Sequence, residues 1–443
     1  MIDTIHLAPV RGRARIEILD ILRGIAILAI FYMNIPFQAQ SVFTIFADIR
    51  LVGWTPADRI VWAGTQIFLD GTQRCLLEFL FGAGMMVLTA KAMEPDGPVA
   101  IADLYYRRTM WLLAFGLFDI FVILWPGDIL ATYALAAMFL FPFRRLGPKT
   151  LTALGLAFAL FVAIGGVGQY AERAALIEKV RAVEAKQSAG QPLAETDRDV
   201  LKKWQTAGDA LRVTPEVRKN IERERKAHQG GLADYAGFYW STWQHYFIGK
   251  GLLFLTVVEA FFAMLIGVAL WKWGVIQGQR SARFYAVLAL LAYGFGVTAR
   301  AIGVSEAFAF APIPRTIWVT GELARLAMGL GHLALINLLF KTAIGRVILG
   351  PFRAAGRVAF SLYFLEQIIG LHILFSPYGL NLWGRFGWAG MAGIATAVIL
   401  LMLLIANIWT RYFAMGPMEW AWRSLAYLEP QPFRKRQGNT QPG

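Results

Sequence analysis

The chain has 443 residues, 57% of them hydrophobic and 16% charged, with a formal net charge of +14 at pH 7. Its apolar residues come in helix-length blocks, which excludes a string of soluble domains and defines a polytopic membrane protein. The positive balance would point to nucleic acid in a soluble protein, but here it sits mostly in short loops between apolar blocks, and the single cysteine, Cys75, excludes an internal disulfide framework.

In chain order, the first span is expected at about 17–36. It follows Arg11, Arg13 and Arg15, carries Arg23 and lacks a small-residue cleavage site, so it is expected to be retained rather than removed as a signal peptide. Asp20 and Arg23 lie one turn apart on one face. Arg23 and Asn34 are separated by about three turns, which puts them on one stripe ~16 Å apart along the axis. The stretch 55–70 is expected to be interfacial or re-entrant. The second span, about 72–92, opens with Arg74 and Glu78 on one face. Its Gly82 and Gly84 fit close helix packing better than nucleotide binding.

The third span, about 108–125, repeats the first span's spacing with Arg108 and Asp119. The tight turn Trp125-Pro126-Gly127-Asp128 must lie at a membrane face and leads into a short span at 129–144. A fifth span is expected at 150–168. The polar residues 171–244 read as a small helical insert, with helices at 172–187, 195–211 and 215–228, a start at Thr214-Pro215 and a stop at Gly230-Gly231. Further spans are expected at 246–271, holding Glu259; 283–302; 316–340, holding Glu322, Arg325 and His332; 357–376, holding Arg357, Ser361 and His372; and 387–411.

The expected fold is therefore an all-α bundle of about ten transmembrane helices with an extracytoplasmic helical insert. The expected divisions are 1–170, 171–244, 245–415 and a cytoplasmic tail at 416–443. Lys91, Arg107, Arg108, Arg144, Arg145, Lys272, Arg283, Lys341, Arg353, Arg357 and Arg436 all fall on one side if both termini are cytoplasmic.

No P-loop, strand–helix GxGxxG, HExxH or CxxC motif is present, and no metal site is expected. The informative residues are polar groups inside spans, because ionised groups in a bilayer usually face protein or water. Sequence order brings Asn34, Arg74, Glu78, Asp119 and Asp128 to one depth on the insert side. A purely structural alternative has Asp128 capping the fourth span and Arg74 pairing with Glu78. His332 and His372 are acid–base candidates, although a lone histidine in a span is more often a packed core residue.

Four blocks resemble the YeiB-like family of bacterial inner-membrane proteins, which carry a domain of unknown function. They are LDILRGIAILAIFYMNIP at 19–36, FLDGTQRCLLEFLFGAG at 68–84, FGLFDIFVILWPGDILATYAL at 115–135 and GPMEWAWRSLAY at 416–427. The block GRVAFSLYFLEQ at 356–367 is similar to the family's C-terminal Gly-Arg block. That family resembles part of a transmembrane acyltransferase superfamily, with the lysosomal heparan-glucosaminide acetyltransferase as a relative. Membrane O-acyltransferases of surface glycans carry, in their first span, an arginine linked with acyl-CoA and, after ten intervening residues, a histidine linked with acid–base work. Arg23 matches the arginine; Asn34 stands at the histidine position, and Asp119 stands where many relatives have histidine. An amide cannot take a proton at neutral pH but can donate a hydrogen bond to an oxyanion.

The resemblance implies transfer of an acyl group from a cytoplasmic donor such as acyl-CoA to an acceptor, a glycan or lipid-linked molecule, in the membrane interior or at the outer face. Arg23, Arg107, Arg108 and Arg357 are the expected phosphate-binding residues. Asp119 or Asp128 would serve as base, with Asn34 and Arg74 stabilising developing negative charge. A transporter of a small metabolite or lipid-linked molecule and a non-catalytic scaffold remain open from the sequence.

Overall fold

The computed structural model describes residues 16–89 and 100–435. Arg11, Arg13, Arg15, Lys91 and Arg436, which entered the charge argument for orientation, lie outside the described residues. Among the described residues the chain is helical, with no β-strand and one isolated bridge between Phe413 and Arg434.

Among the described residues six helices are long and apolar enough to cross a membrane: Glu17–Ala39, Pro148–Ser188, Leu252–Lys272, Ala282–Ala307, Ile317–Phe340 and Trp388–Tyr412. A seventh results if Ala343–Arg357 and Ala359–Leu374, bent by 77° at their junction, count as one broken span. The protein is thus a helical membrane protein, and among the described residues six or seven such helices stand against the expected ten. Thr72–Thr89 carries Arg74 and Glu78, and Leu130–Leu140 has 11 residues. At 1.5 Å per residue the latter is ~16 Å long, about half a hydrocarbon core.

The elements are labelled α1 (Glu17–Ala29), α2 (Phe31–Ala39), α3 (Val42–Ala47), α4 (Pro56–Phe68), α5 (Thr72–Thr89), α6 (Ala100–Phe118), α7 (Leu130–Leu140), α8 (Pro148–Ser188) and α9 (Glu195–Asp209). They continue with α10 (Pro215–Ala227), α11 (Leu232–Trp243), α12 (Leu252–Lys272), α13 (Ala282–Ala307), α14 (Ile317–Phe340), α15 (Ala343–Arg357), α16 (Ala359–Gln367), α17 (Trp388–Tyr412) and α18 (Pro417–Tyr427). The end of the bundle against α9–α11 is called the insert side here, and the end against α18 the tail side. Three π-type segments interrupt the α-helical register: Asp119–Ile123 after α6, Gln244–Gly249 after α11 and Ile368–Leu374 after α16.

Close crossings are made by glycine. At Gly82 an added Cβ would strike the backbone of Met264 and Val268, so α5 and α12 touch main chain to main chain. At Gly356 it would strike the carbonyl of Asp20, and at Gly24 that of Phe352. The α1–α15 crossing thereby brings Arg23 and Arg357 to the same end of the bundle.

The insert is more tightly joined than a separate cap. α8 is a single helix of 41 residues, about 60 Å, roughly twice the hydrocarbon thickness. It therefore runs straight through residue 170, the expected boundary between the fifth span and the insert. Thr214 caps α10 by accepting from the Val217 amide, as the Thr-Pro start implied. On α10, Glu224 accepts from the Ser41 hydroxyl at 2.5 Å and the Val42 amide at 3.3 Å, tying the insert to the loop after α2. His228, one turn on, stacks on Trp383 at 4.2 Å between ring centroids. Burial pushes the Glu224 carboxyl up to about 7, against the two donors that favour its charged form. Burial likewise pushes His228 down to about 4, against its contact with the Glu224 carbonyl.

Candidate functional site

On the insert side is a cavity of about 770 Å³. Its floor includes Asn34, Gln73, Arg74, Glu78, Asp128 and Thr132; its roof is made by the insert, including Asp209, Arg212, Glu216, Asn220 and Glu224. Three of the four residues expected to form a catalytic group, Asn34, Arg74 and Asp128, therefore line one space. Each reaches it from a different element and each is held by a specific bond.

The Arg74 guanidinium binds Glu259 on α12 at 2.6 Å and lies 3.7 Å from Glu78. Arg325 on α14 completes the network, at 2.7 Å from Glu78, 2.8 Å from Glu259 and 2.8 Å from Glu322. Five residues from three separate spans of the sequence, Arg74, Glu78, Glu259, Glu322 and Arg325, thus form one ionic cluster joining α5, α12 and α14. The local Arg74–Glu78 pair is real, but it is the longest contact in the set. Asn34 donates its amide to Glu366 on α16 at 2.7 Å, and one turn on Gln38 donates to Gln367 at 2.7 Å.

Asp128 caps α7: its carboxylate accepts from the amides of Leu130 at 3.1 Å and Ala131 at 2.6 Å. It also accepts from the Tyr363 hydroxyl at 3.2 Å. Asp119 is fully buried and does not line the cavity. It lies close to the Asp128 carboxyl and Tyr363. Asp119 opens a π-type segment, and the chain turns away through Leu124 at φ 65° to reach Trp125. The stripe shared with Arg108 therefore ends at Asp119.

A second cavity, about 250 Å³, lies on the tail side. Arg23, Arg108, Arg357 and Arg423 line it, together with Glu419 and Trp422 of α18. Three of the four expected donor-binding arginines are here. Arg107 is not; it pairs with Asp103 at 3.1 Å. Arg108 sits over the Trp422 ring at 4.2 Å, and the Trp422 indole N–H donates to the Arg108 carbonyl at 2.8 Å. Glu419 accepts from the Phe360 amide at 2.7 Å and the Ser361 hydroxyl at 2.6 Å, so it caps α16 and seats α18 against the pocket.

The two cavities are back to back. Ile129 lines both, Tyr363 and Tyr133 line the tail-side one, and Asp128 lines the insert-side one. The Tyr363–Asp128 hydrogen bond thus crosses the wall.

The histidines stand apart. The His332 ring meets the Met328 carbonyl at 2.9 Å, and His372 is engaged at both nitrogens, by Tyr378 at 2.7 Å and the Ile123 carbonyl at 2.9 Å. Neither lines either of these two cavities. Among the described residues no cluster of His, Cys, Asp and Glu could hold a metal ion. Sequence reasoning passed over Glu366, Tyr363, Arg423 and Arg300. Glu366 and Arg300 carried the same signal as the residues that were flagged, an ionisable group within an apolar helix. Arg300 pins the α4–α5 corner by donating to the carbonyls of Ile67 and Asp70 and to Thr72. Tyr363 and Arg423 carried no signal, since a tyrosine in a span and an arginine in a basic tail are both ordinary.

Residues 270–429 match the family model described as "Protein of unknown function (DUF418)". The chain is 29% identical to the uncharacterized protein YxaH of Bacillus subtilis, over 97% of this chain and 98% of the relative. It is 23% identical to the uncharacterized protein YeiB of Escherichia coli, over 94% and 97%. These similarities support a YeiB-like family. No solved structure matches the chain significantly.

Proposed function

We propose that the chain is an acyltransferase of the bacterial cytoplasmic membrane, with its donor site in the tail-side cavity and its acceptor site in the insert-side cavity. The observation that carries this is the thin wall at Ile129, where a four-arginine pocket backs onto a carboxyl-lined cavity and the Tyr363–Asp128 and Tyr133–Arg74 hydrogen bonds join them. Arginine forks suit phosphate groups, so Arg23, Arg108, Arg357 and Arg423 would hold a donor of the acyl-CoA type. The acyl carbonyl would enter past Leu80, Leu112 and Tyr363 and meet the acceptor where the wall parts. The acceptor's oxygen or nitrogen attacks the thioester carbon as its proton passes to Asp128, the C–S bond breaks, and the departing sulfur takes that proton from Asp128 and leaves as the thiol. Asn34 and Arg74 are committed to Glu366 and to the ionic cluster. We therefore assign them a positioning part rather than oxyanion binding.

Binding of CoA and acetyl-CoA to purified protein, measured by calorimetry, tests the donor site. Arg23→Ala or Arg108→Ala is expected to cost about 1.5–3 kcal/mol, or roughly 10- to 150-fold in affinity. Arg107→Ala is expected to bind as the wild type does. No binding by the wild type, or equal binding by all variants, removes the acyltransferase. Two cavities at opposite ends of a bundle also suit a transporter, the alternative that failed CoA binding would favour.

In this proposal α18 and the termini face the cytoplasm. Cys75 is fully buried and should be a silent background for thiol labelling. An impermeant reagent on whole cells should label Gln191→Cys in the insert, and Glu429→Cys only after permeabilisation. The reverse pattern would invert the orientation.

A further inference from the structure

The insert-side cavity has a chemical bias. Among the described residues, carboxyl groups from Asp70, Glu78, Asp128, Asp209, Glu216 and Glu224 line it, against two guanidinium groups, Arg74 and Arg212. Arg74 is already bound within the ionic cluster, where two arginines face three glutamates and leave one negative charge in excess. Arg300 and Asp70 face each other beside the cluster and leave that balance unchanged. Arg212 is on the exposed roof.

Some hydrogen-bond donors of the lining are engaged, whereas the Trp125 indole N–H and the Arg74 Nε–H have no hydrogen-bond partner. Asn34 donates to Glu366, Thr132 to the Asp128 carbonyl and Thr256 to the Leu252 carbonyl. An acceptor is left over. Gln73 lines the floor at 2% exposure, and its side-chain oxygen has no hydrogen-bond partner. A buried amide oxygen left unpaired is costly, so a ligand that donates to it gains that energy. The remaining walls are aromatic: Phe43 and Tyr246 lie 6.4 Å apart, and Phe238 and Tyr239 5.4 Å apart. Ring faces attract a cation and shelter an apolar body. An anion would meet carboxyl groups that outnumber the guanidinium groups of the lining six to two.

We infer that this cavity binds an organic cation, an ammonium group carried on an apolar body. Its role as the acyl acceptor rests on the function proposed above; its binding does not. As acceptor, the amine first gives up a proton to a carboxylate of the cavity. Its nitrogen then bonds to the acyl carbon as the C–S bond breaks, a second proton passes from the nitrogen to the departing sulfur, and the products are an amide and a thiol.

The test is binding to the purified full chain in lipid nanodiscs, using three probes of one size: phenethylamine, phenethyl alcohol and 3-phenylpropionate. The amine is expected to bind at least about tenfold more tightly than the alcohol, and the carboxylate not measurably. Its affinity should fall with added salt. Glu216→Lys, on the exposed roof, and Gln73→Leu, close in volume, should each weaken the amine several-fold while the alcohol changes little. Equal binding of amine and alcohol, preference for the carboxylate, no binding of any probe, or an amine affinity unmoved by both variants would overturn the inference. CoA binding is measured on the same sample. Loss of the amine result with CoA bound removes this inference alone, and loss of CoA binding with the amine bound removes acyl transfer alone.

Discussion

Replacing Arg325 by methionine is expected to cost about 3–5 kcal/mol and to leave little folded protein. The Arg325 guanidinium is only 6% exposed and holds Glu78, Glu259 and Glu322 within 2.8 Å. Without it three carboxylates from three helices would face one another with Arg74 as their sole cation in the cluster, in surroundings that screen little. Removing one member of a buried ion set strands the charge of the others, whereas removing opposing members together costs far less. The triple variant Arg325→Met, Glu78→Gln, Glu322→Gln should therefore recover most of the loss. Size-exclusion profiles and thermal unfolding in detergent check both. A single variant as stable as the wild type would show that the cluster does not hold α5, α12 and α14 together.

Asp128→Asn is expected to lower acyl transfer by about 10²–10⁴-fold, the usual span for loss of a general base. The substitution is chosen because an asparagine oxygen can still accept from the Leu130 or Ala131 amide, so the cap on α7 is retained in part. CoA binding, which depends on the tail-side arginines, should be unchanged. Turnover of a labelled acyl-CoA with an amine acceptor, per folded molecule, is the measurement. Full turnover with a lowered melting temperature would assign Asp128 to the cap alone. Tyr363→Phe removes the donor to Asp128 and keeps the ring that walls the tail-side cavity, so its effect on turnover should be smaller.

The sequence by itself determined what is local. Hydropathy over windows of about twenty residues identifies a helical membrane protein, because a bilayer forces the backbone to satisfy itself within the helix. Helical spacing correctly paired Arg74 with Glu78 and placed Arg23 and Asn34 toward opposite ends of one helical stretch, and they line the tail-side and insert-side cavities respectively. The Pro126-Gly127 turn carried Asp128 to the head of α7, where its carboxylate caps the helix. Only the tertiary structure decided which faces meet. Periodicity gives a residue's direction from its own axis and says nothing of the helix across from it. Arg74 therefore binds Glu259, 185 residues away, more closely than its neighbour Glu78. Arg423 came to the arginine pocket because α18 folds back onto α16 through Glu419, a contact no local pattern encodes. Asp119 follows α6, which is regular from Arg108 to Phe118, but only the packing decided that its carboxyl lies outside the lining of the insert-side cavity. The sequence reads the insert as a small helical unit apart from the spans because its composition is polar. Its place as the cavity roof depends on Glu224 meeting Ser41, two side chains 183 residues apart whose bond forms only once the bundle has set the loop after α2 beneath α10.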